Sequence, residues 1–458
     1  PTRTVVWTAG VKPSPLLAEF GGAYNAPQAA YVTRVGRRIA VQSGLSNSES
    51  DFTITLLNSP VNNAFAIPGG YVYVTRQLTG LMNDEAELAS VLGHEVGHVA
   101  ARHSAKRNQQ SQLGAIGVLL GTIGAGLLTG SQQIGQLAQQ VLGTGAQLWV
   151  LGYSRKQEYE ADDLGVEYLA RAGYDPRASS TMLASLAAQS ALDQRLARTQ
   201  ARSAPTWAST HPDPASRVER AARMADSIGS RSTVRNRDAF LAALDGTMYD
   251  DDPKQGVIEG NSFRHPDLRL MFTIPQGFGM ANGTKAVSIS GNGGQGQFSG
   301  GRFTGDLQSY IANVFRGLAG ERGQIDVGEV RRTTVNGLPA AYAVARAATQ
   351  SQQVDVTVFA YQFGPGSAYH FATITPAGQG NPFGSMFQSL RRLSAAEAAA
   401  IRPRKISVVT VKPGETAAIL SRRMAYGTAQ LDRFLTLNAL SPNQPLRPGQ
   451  KVKLVVYG

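Results

Sequence analysis

The feature that most constrains this chain is a His-Glu-x-x-His sequence at residues 94–98. Residues four apart lie on one face of an α-helix, so His94 and His98 could offer their imidazoles to a single metal ion, and zinc accepts such nitrogens well. Glu95 follows the first histidine, where it could take a proton from an attacking water and pass it to a leaving amine. A short pattern of this kind also arises by chance, so the hypothesis depends on further ligands elsewhere in the chain.

The sequence around this motif predicts a helix that packs into a core. Asn83 or Asp84 is a plausible N-cap, and Glu85 and Glu87 place acidic groups in the first turn, where they complement the helix dipole. An apolar stripe along the same stretch favours packing against the rest of a domain. Gly97 lowers helix propensity, and we expect it to let another backbone or a substrate come close.

The composition is that of a multidomain globular protein. The chain has 458 residues, 42% of them hydrophobic and 17% charged, which is enough for about three domains. It contains 0 Cys, which excludes disulfides and thiolate metal ligands. The net charge of +12 is compatible with binding to an anionic surface or with ordinary solubility, and the basic residues are scattered, so no nucleic-acid binding is predicted. The chain begins at Pro1 without Met, and we expect that a leader was removed.

The elements before the motif predict a short sheet beside the metal helix. A helix is predicted over 29–42 and strands over 52–57, 61–66 and 71–75, with a turn between the last two. An extended peptide could add to a free edge of such a sheet as another strand.

An apolar, glycine-rich segment spans residues 113–129. It could be a membrane span with a close-packing face, but it falls short of the roughly 20 residues that a bilayer needs. Several glutamines follow it, so a buried or lid-forming helical pair is the preferred interpretation.

A second helix, predicted from Tyr153 to Ala170, offers carboxylates to the same metal. Two histidine ligands need a third partner, and a carboxylate from a following helix is a common solution. Glu158 and Asp162 are four apart and share a face, so one could bind the metal while the other orients a ligand histidine through its free ring nitrogen. The alternative is a solvated acidic patch.

A proline-bounded loop carries His211, and Arg217 follows at the start of the next predicted helix. A loop histidine and an arginine are suited to stabilising the oxyanion of a tetrahedral intermediate. The alternative for His211 is an ordinary histidine on a surface loop.

Five motifs in this order make the chain similar to the M48 family of zinc metallopeptidases, the group that includes the CAAX prenyl endopeptidases, and specifically to its soluble bacterial envelope members. They are residues 20–24 (Phe-Gly-Gly-Ala-Tyr), 63–70 (Asn-Ala-Phe-Ala-Ile-Pro-Gly-Gly), 94–98 extended by 101–104 (Ala-Arg-His-Ser), 158–162 (Glu-Tyr-Glu-Ala-Asp), and His-Pro at 211–212 with the arginine at 217. The long apolar spans of the membrane-embedded relatives are missing, so contact with a membrane is possible but a span is not expected.

The resemblance implies a complete site, with metal ligands, a general base, two residues facing the substrate or its oxyanion, and two residues beside the site. His94, His98 and Glu158 would bind one Zn2+ per chain, and Glu95 would be the general base. His211 and Arg217 would face the substrate or its oxyanion. Asp162 and Asn63 would lie beside the site. His211 could also approach the metal. His103 is predicted to be structural, because its five-residue offset from His98 turns it off the metal face.

The function that the resemblance implies is a zinc-dependent endopeptidase of the bacterial periplasm or cell envelope. It would hydrolyse misfolded or unassembled envelope proteins, as part of protein quality control, with a water activated by Glu95. Two alternatives remain open: a non-catalytic chaperone or adaptor whose structural zinc has His211 as a fourth protein ligand, or a cell-wall protein that acts on peptidoglycan. The general-base glutamate and the edge strand favour peptides as substrates.

The predicted fold class is a multidomain α+β protein. Residues 1–235 would form a mainly helical zincin-type metallopeptidase domain with a short edge sheet, and 236–260 would be an acidic linker. Residues 261–395 predict an α+β sandwich with one antiparallel sheet, similar in texture to PsbP-like domains, in which His265 and His370 are structural. Residues 404–458 predict a strand, two helices and a strand, and resemble a LysM module. That family binds N-acetylglucosamine glycans such as peptidoglycan, although a docking role without glycan is equally open.

Overall fold

The structure, a computed structural model, describes residues 23–24, 27–67, 69–103, 153–197, 211, 214–283, 286–319, 327–348 and 353–458. The predicted segment 113–129 lies outside these ranges, as do residues 20–22, Pro68, Ser104 and Pro212 of the matched motifs. Within the described ranges, no helix is both long enough and apolar enough to cross a membrane.

Seven helices of the described chain and a small sheet form the part of the molecule that carries the motif. The helices are α1 (Pro27–Ala40), α2 (Arg76–Leu81), α3 (Glu85–Ala100), α4 (Arg155–Arg171), α5 (Ala178–Ala197), α6 (Pro214–Ser227) and α7 (Arg237–Leu244). The strands are β1 (Thr53–Leu57), β2 (Ala64–Ile67) and β3 (Tyr71–Thr75), in the order β1-β3-β2. Because β3 is central, β2 is an edge strand, paired antiparallel to β3, while β1 is parallel to β3.

Strand β2 starts later than the predicted range 61–66. The Thr75 hydroxyl donates to the Val61 carbonyl at 2.6 Å and accepts from the Asn63 N–H at 3.2 Å, which turns the chain there. Pairing with β3 therefore begins only at Ala64, opposite Val74.

Helix α3 runs through the middle of this domain. Its N-cap is Asp84, one of the two residues predicted for this position. The Asp84 carboxylate accepts a hydrogen bond from the Glu87 N–H at 3.0 Å. The predicted apolar stripe packs into the core, and the burial goes further than the stripe, because every residue from Glu85 to His98 is buried. The reason is that α1, α4, α5 and β2 all pack against this helix and together cover its whole circumference.

Glycines let α3 and α4 approach closely. A Cβ on Gly97 would lie 3.0 Å from the Ala161 carbonyl oxygen, and a Cβ on Gly165 would lie 3.1 Å from the His94 nitrogen. Both positions therefore exclude a side chain without movement of the facing backbone. The expectation that Gly97 admits another backbone is confirmed, and this backbone belongs to the helix that carries Glu158.

The segment 236–260, predicted to be a linker, is built into the fold. Helix α7 buries Phe240 and Leu244 in the same core as α3. Strand β4 (Met248–Tyr249) pairs with a C-terminal strand, and Asp250, Asp251 and Asp252 are buried and hydrogen-bonded rather than solvated. A run of three acids predicts exposure from composition alone, whereas here Asp250 and Asp252 find partners in distant parts of the chain, Gln77 and Asn58.

The middle part of the chain is α+β with antiparallel strands, in agreement with the predicted class. Its strands are β5 (Val257–Glu259), β6 (Ser262–His265), β7 (Leu270–Thr273), β8 (Phe278–Asn282), β9 (Ala286–Gly291), β10 (Gly294–Arg302), β11 (Arg331–Val335), β12 (Leu338–Ala348), β13 (Gln353–Gly364), β14 (Ser367–Pro376) and β15 (Arg391–Arg392). Seven form one sheet in the order β11-β12-β13-β14-β10-β9-β8, and four form a second in the order β15-β7-β6-β5. The helices are α8 (Leu307–Ala319), α9 (Gly384–Ser389) and α10 (Ala395–Ala399), so the domain has two sheets rather than the one predicted.

Residues 404–458 fold in the predicted order of strand, two helices and strand. The elements are β16 (Arg404–Thr410), α11 (Ala417–Ser421), α12 (Gln430–Leu437) and β17 (Lys451–Tyr457), and β16 pairs antiparallel with β17. We call this unit the C-terminal module. The resemblance to LysM stays a prediction.

The C-terminal module shares its core with the helices around the motif. Ile406, Phe434 and Leu454 belong to the same cluster of buried residues as Leu88 and Leu92 of α3. Across the contact, the buried Lys453 ammonium donates to the carbonyls that end α2, at 2.8 Å to Gly80, 3.1 Å to Leu81 and 2.5 Å to Met82. The module is therefore fixed on the domain that carries the His-Glu-x-x-His helix.

Candidate metal centre

Four side chains that can bind a metal meet in the interior. They are His94 and His98 from α3, Glu158 from α4, and His211, and their ligand atoms all lie within 4.8 Å of one another. All four are at most 5% exposed. The sequence-based expectation that Glu158 reaches the histidine pair therefore agrees with the structure, and His211 joins them.

The distances within the group match the edges of a zinc tetrahedron. His94 Nε2 lies 3.0 Å from His98 Nε2 and 3.6 Å from Glu158 Oε2, and His98 Nε2 lies 3.5 Å from Glu158 Oε1. Zinc bonds of about 2.0–2.1 Å at tetrahedral angles place ligand atoms about 3.3–3.5 Å apart. Both Glu158 oxygens are buried, and apart from the Arg217 guanidinium, which lies 2.5 Å from Oε2, no hydrogen-bond donor of the described chain satisfies them. The residues present therefore fit one zinc ion.

Asp162 and Arg217 hold two of these side chains in place. Asp162 Oδ1 lies 3.0 Å from His94 Nδ1, which directs the other ring nitrogen of His94 at the cluster. The Arg217 guanidinium contacts Asp162 at 2.6 and 2.7 Å and Glu158 at 2.5 Å. Burial opposes ionisation of Asp162, but the hydrogen bonds from Arg217 and His94 outweigh it and lower the pKa to about 2.

His98 is held from its other side by His103 and Tyr153. The two Nδ1 atoms of His98 and His103 are 2.8 Å apart, and His103 Nε2 lies 3.2 Å from a Glu160 oxygen. The Tyr153 ring stacks on the His98 ring with 3.7 Å between centroids. His103 thus contacts a metal-binding histidine directly. His103 is not in the ligand group, as predicted, and it reaches His98 because α3 ends at Ala100 and Arg102, at φ 56°, turns the chain back.

Glu95 lies beside the cluster and against the edge strand. Its Oε1 is 3.4 Å from His211 Nε2, and its carboxylate accepts a hydrogen bond from the backbone N–H of Ala66 in β2. Burial raises the pKa of Glu95 to about 7, although the charges of His94 and Arg217 and the bond from Ala66 act against it. A carboxyl group that titrates near neutral pH is suited to carrying a proton in both directions.

Asn63 precedes β2 and does not belong to the ligand group. Its backbone carbonyl accepts from the Thr75 N–H at 2.9 Å, which fixes the beginning of the edge strand. Its side-chain oxygen is buried. Asn63 thus comes directly before the strand that contacts Glu95, and its own assignment beside the site stays a prediction.

Two helix-borne histidines, a glutamate from a second helix and a glutamate beside the first histidine define the class of zinc metallopeptidases. Residues 26–225 match the model of peptidase family M48, and this match supports that family for this part of the chain. Family and cofactor agree with the sequence-based prediction, and the metal of the domain is zinc.

Curated proteases resemble the same region. The beta-barrel assembly-enhancing protease of Yersinia pestis is 32% identical over 215 residues, which cover 47% of this chain and 42% of that protein. Its counterpart from Escherichia coli (strain K12) is 33% identical over 213 residues, covering 46% and 42%. The mitochondrial metalloendopeptidase OMA1 of Schizosaccharomyces pombe is 33% identical over 195 residues, covering 42% and 52%. The chain thus spans about half the length of the curated relatives that it matches.

Proposed function

We propose that this protein is a zinc-dependent endopeptidase that cleaves proteins of the bacterial envelope. The observation that carries the proposal is the convergence of His94, His98 and Glu158, with Glu95 between them and the edge strand β2. The relatives that share this region are named as proteases, one of them as enhancing the assembly of β-barrels. Misfolded or unassembled envelope proteins in the periplasm are therefore the proposed substrates, and protein quality control the proposed role.

In this proposal, His94, His98 and Glu158 hold the ion. When bound, zinc supplies Lewis acidity, which polarises the scissile carbonyl and makes a nearby water easier to deprotonate. Asp162 keeps the His94 ring oriented, and Arg217 balances the charges of Asp162 and of the ligand Glu158. Arg217 is at most 1% exposed and is already bound on two sides, so we assign it this positioning role instead of the predicted contact with the oxyanion.

The substrate would lie as an additional strand along β2. An extended peptide can add to a sheet along an edge strand, and the Ala66 hydrogen bond holds Glu95 against that same strand. Glu95 would take the proton of the attacking water and deliver it to the leaving amine. His211, within reach of both Glu95 and the cluster, would stabilise the oxyanion.

The experiment that tests the proposal is the substitution Glu95→Gln. It keeps the size and a hydrogen-bond acceptor for Ala66 but removes the base, so digestion of unfolded casein should fall by about 10²–10⁴-fold, the usual worth of a general base. Zinc content, measured by elemental analysis, should stay the same. Glu219→Gln, at a highly exposed position on α6, is the matched control and should digest casein at the wild-type rate. Undiminished digestion by Glu95→Gln would refute the role of Glu95.

One observation favours a second candidate function. His211 lies within the same 4.8 Å group as the three ligands, so it could close the site as a fourth protein ligand. A closed tetrahedral site is typical of structural zinc, which fits a chaperone or adaptor without catalysis. In the casein assay, that function predicts a zinc-loaded wild type that releases no peptides.

A further inference from the structure

A cavity of about 670 Å³ lies at the end of the small sheet where β2 begins. Its volume falls within the range of about 300–1,000 Å³ that is usual for ligand sites. Pro60, Val61 and Asn62, which lead into β2, line one side of it. The side-chain oxygen of Asn62 is buried there, and no described residue donates a hydrogen bond to it.

The opposite walls come from α5 and from the C-terminal module. Gln189 and Asp193 of α5 face the cavity, and so do Met424, Tyr426 and Thr428 of the module. None of the four metal-binding side chains lines it. The cavity is therefore separate from the metal centre.

The edge strand connects the metal centre with this cavity. Ala66 contacts Glu95, and Asn62 at the cavity precedes Ala66 by four positions. At about 3.3 Å per residue, four residues span at most about 13 Å, and less here because the chain turns just before β2. A peptide that pairs with β2 beside Glu95 and continues toward the start of this strand would thus reach the cavity after about four residues.

The chemistry of the walls suits a polypeptide. Arginine and tyrosine are the side chains most enriched where proteins bind one another, and the Arg433 guanidinium lies 4.3 Å from the centre of the Tyr426 ring. Asn62 offers an acceptor to a main-chain N–H of the bound segment. The many charged and polar groups in the lining do not fit a lipid chain.

The wall formed by the module is held firmly in place. The Tyr426 hydroxyl donates to Asp250 at 2.7 Å, and Arg404 pairs with the same carboxylate at 3.3 Å. Lys453 and the shared core fix the module from another side. These contacts therefore anchor the wall of the cavity that the C-terminal module contributes.

We propose that this cavity binds the stretch of polypeptide substrate that runs past the start of β2, so that the C-terminal module forms one wall of the substrate-binding surface. This inference rests on the proposed endopeptidase function. It assigns the module a part in selecting long, extended substrates.

The first test compares two lengths of one substrate. A β-casein peptide that the wild type cleaves is synthesised with three or with eight residues on each side of the cleaved bond. The wild type should show at least a tenfold higher kcat/KM for the long peptide. Thr428→Trp fills the cavity from an exposed position and should bring the ratio of the two kcat/KM values, long to short, close to one. Arg422→Trp is the control and should keep the wild-type ratio, because Arg422 is exposed on the same module but lies outside the cavity. Equal efficiency for both lengths in the wild type, or an unchanged ratio in Thr428→Trp, would overturn the proposal.

A second test does not depend on turnover. The long peptide, or a β-casein peptide of the same length if the wild type cleaves none, carries benzophenone at the fourth, fifth or sixth residue from its central bond. It is irradiated with zinc-loaded Glu95→Gln chain. Cross-links to cavity residues such as Met424 that are lost in Thr428→Trp support the subsite. If the wild type cleaves nothing but these cross-links form, the proposed endopeptidase function is refuted and the peptide-binding cavity is not. Cross-links only outside the cavity, or their displacement by tetra-N-acetylglucosamine, would overturn the assignment to polypeptide.

Discussion

At the scale of single residues, the site depends on how each ring and carboxylate is held. Glu158 and Asp162 share one face of α4, but only Glu158 points at the cluster, because Asp162 is bound to His94 and Arg217. The helical spacing predicted that the two act together. It could not assign Arg217, since the partners of a buried guanidinium depend on how α6 packs against α4.

Asp162→Asn should weaken zinc binding about 10–100-fold, the usual effect of losing a group that orients a ligand histidine. The amide cannot accept as strongly from His94, and it leaves the Arg217 charge less balanced. Competition with a chromophoric chelator measures the affinity. Asp163→Asn is the control, because Asp163 lies on the same helix but pairs with Arg220 near the surface. Equal losses in both variants would show that the effect is only one of helix charge.

At the scale of elements, the contact between α3 and α4 builds the metal centre. The start of α3 was predictable because Asp84 and the first-turn acids act locally. The full burial of this helix was not, because periodicity within one helix does not show how many neighbours surround it. The parallel pairing of β1 with β3 was likewise missed, since strand alternation carries no information about partners.

Gly97→Val should separate these two helices. Its Cβ would stand 3.0 Å from the Ala161 carbonyl oxygen, and overpacking of this kind typically costs about 1–3 kcal/mol. We expect a lower free energy of unfolding and weaker zinc binding, because Glu158 sits one turn before Ala161. Gly317→Val in α8 is the control, since nothing lies within 4 Å of a Cβ there. Urea unfolding should leave Gly317→Val within about 0.5 kcal/mol of wild type; an equal result for Gly97→Val would contradict the close contact.

At the scale of the whole molecule, the C-terminal module is part of the structure that supports the metal helix. Lys453 docks on the end of α2, and the next helix in the chain is α3. The order of strands and helices in 404–458 was predictable from local patterns. The docking was not, because Lys453 sits in an ordinary alternating strand pattern that does not distinguish a buried lysine from an exposed one.

The buried Lys453 should make stability depend on pH. Burial lowers the pKa of Lys453 to about 7 in the folded protein, whereas an unfolded lysine titrates near about 10.4. Between these values the unfolded chain binds more protons, so the free energy of unfolding should rise with pH, by up to about 1.4 kcal/mol per unit. Urea unfolding at pH 7, 8 and 9 should show this added slope in the wild type and not in Lys453→Met. Lys451→Met is the control and should keep the slope, because Lys451 lies on the same strand but is partly exposed. The same slope in all three proteins would contradict the assignment to Lys453.

The sequence by itself determined what short-range order controls. Two histidines four apart, an acid after the first, a second pair of carboxylates four apart and the capping residues together specify a metal-binding helix and its partner, because side chains one helical turn apart must share a face. Only the tertiary structure decided which groups stand behind the ligands. His103, Tyr153 and Arg217 reach their places through a left-handed turn at Arg102, a capping box at Ser154 and the packing of α6. The docking of 404–458 was decided in the same way, since contacts across several hundred residues follow from how surfaces fit and leave no local pattern in the chain.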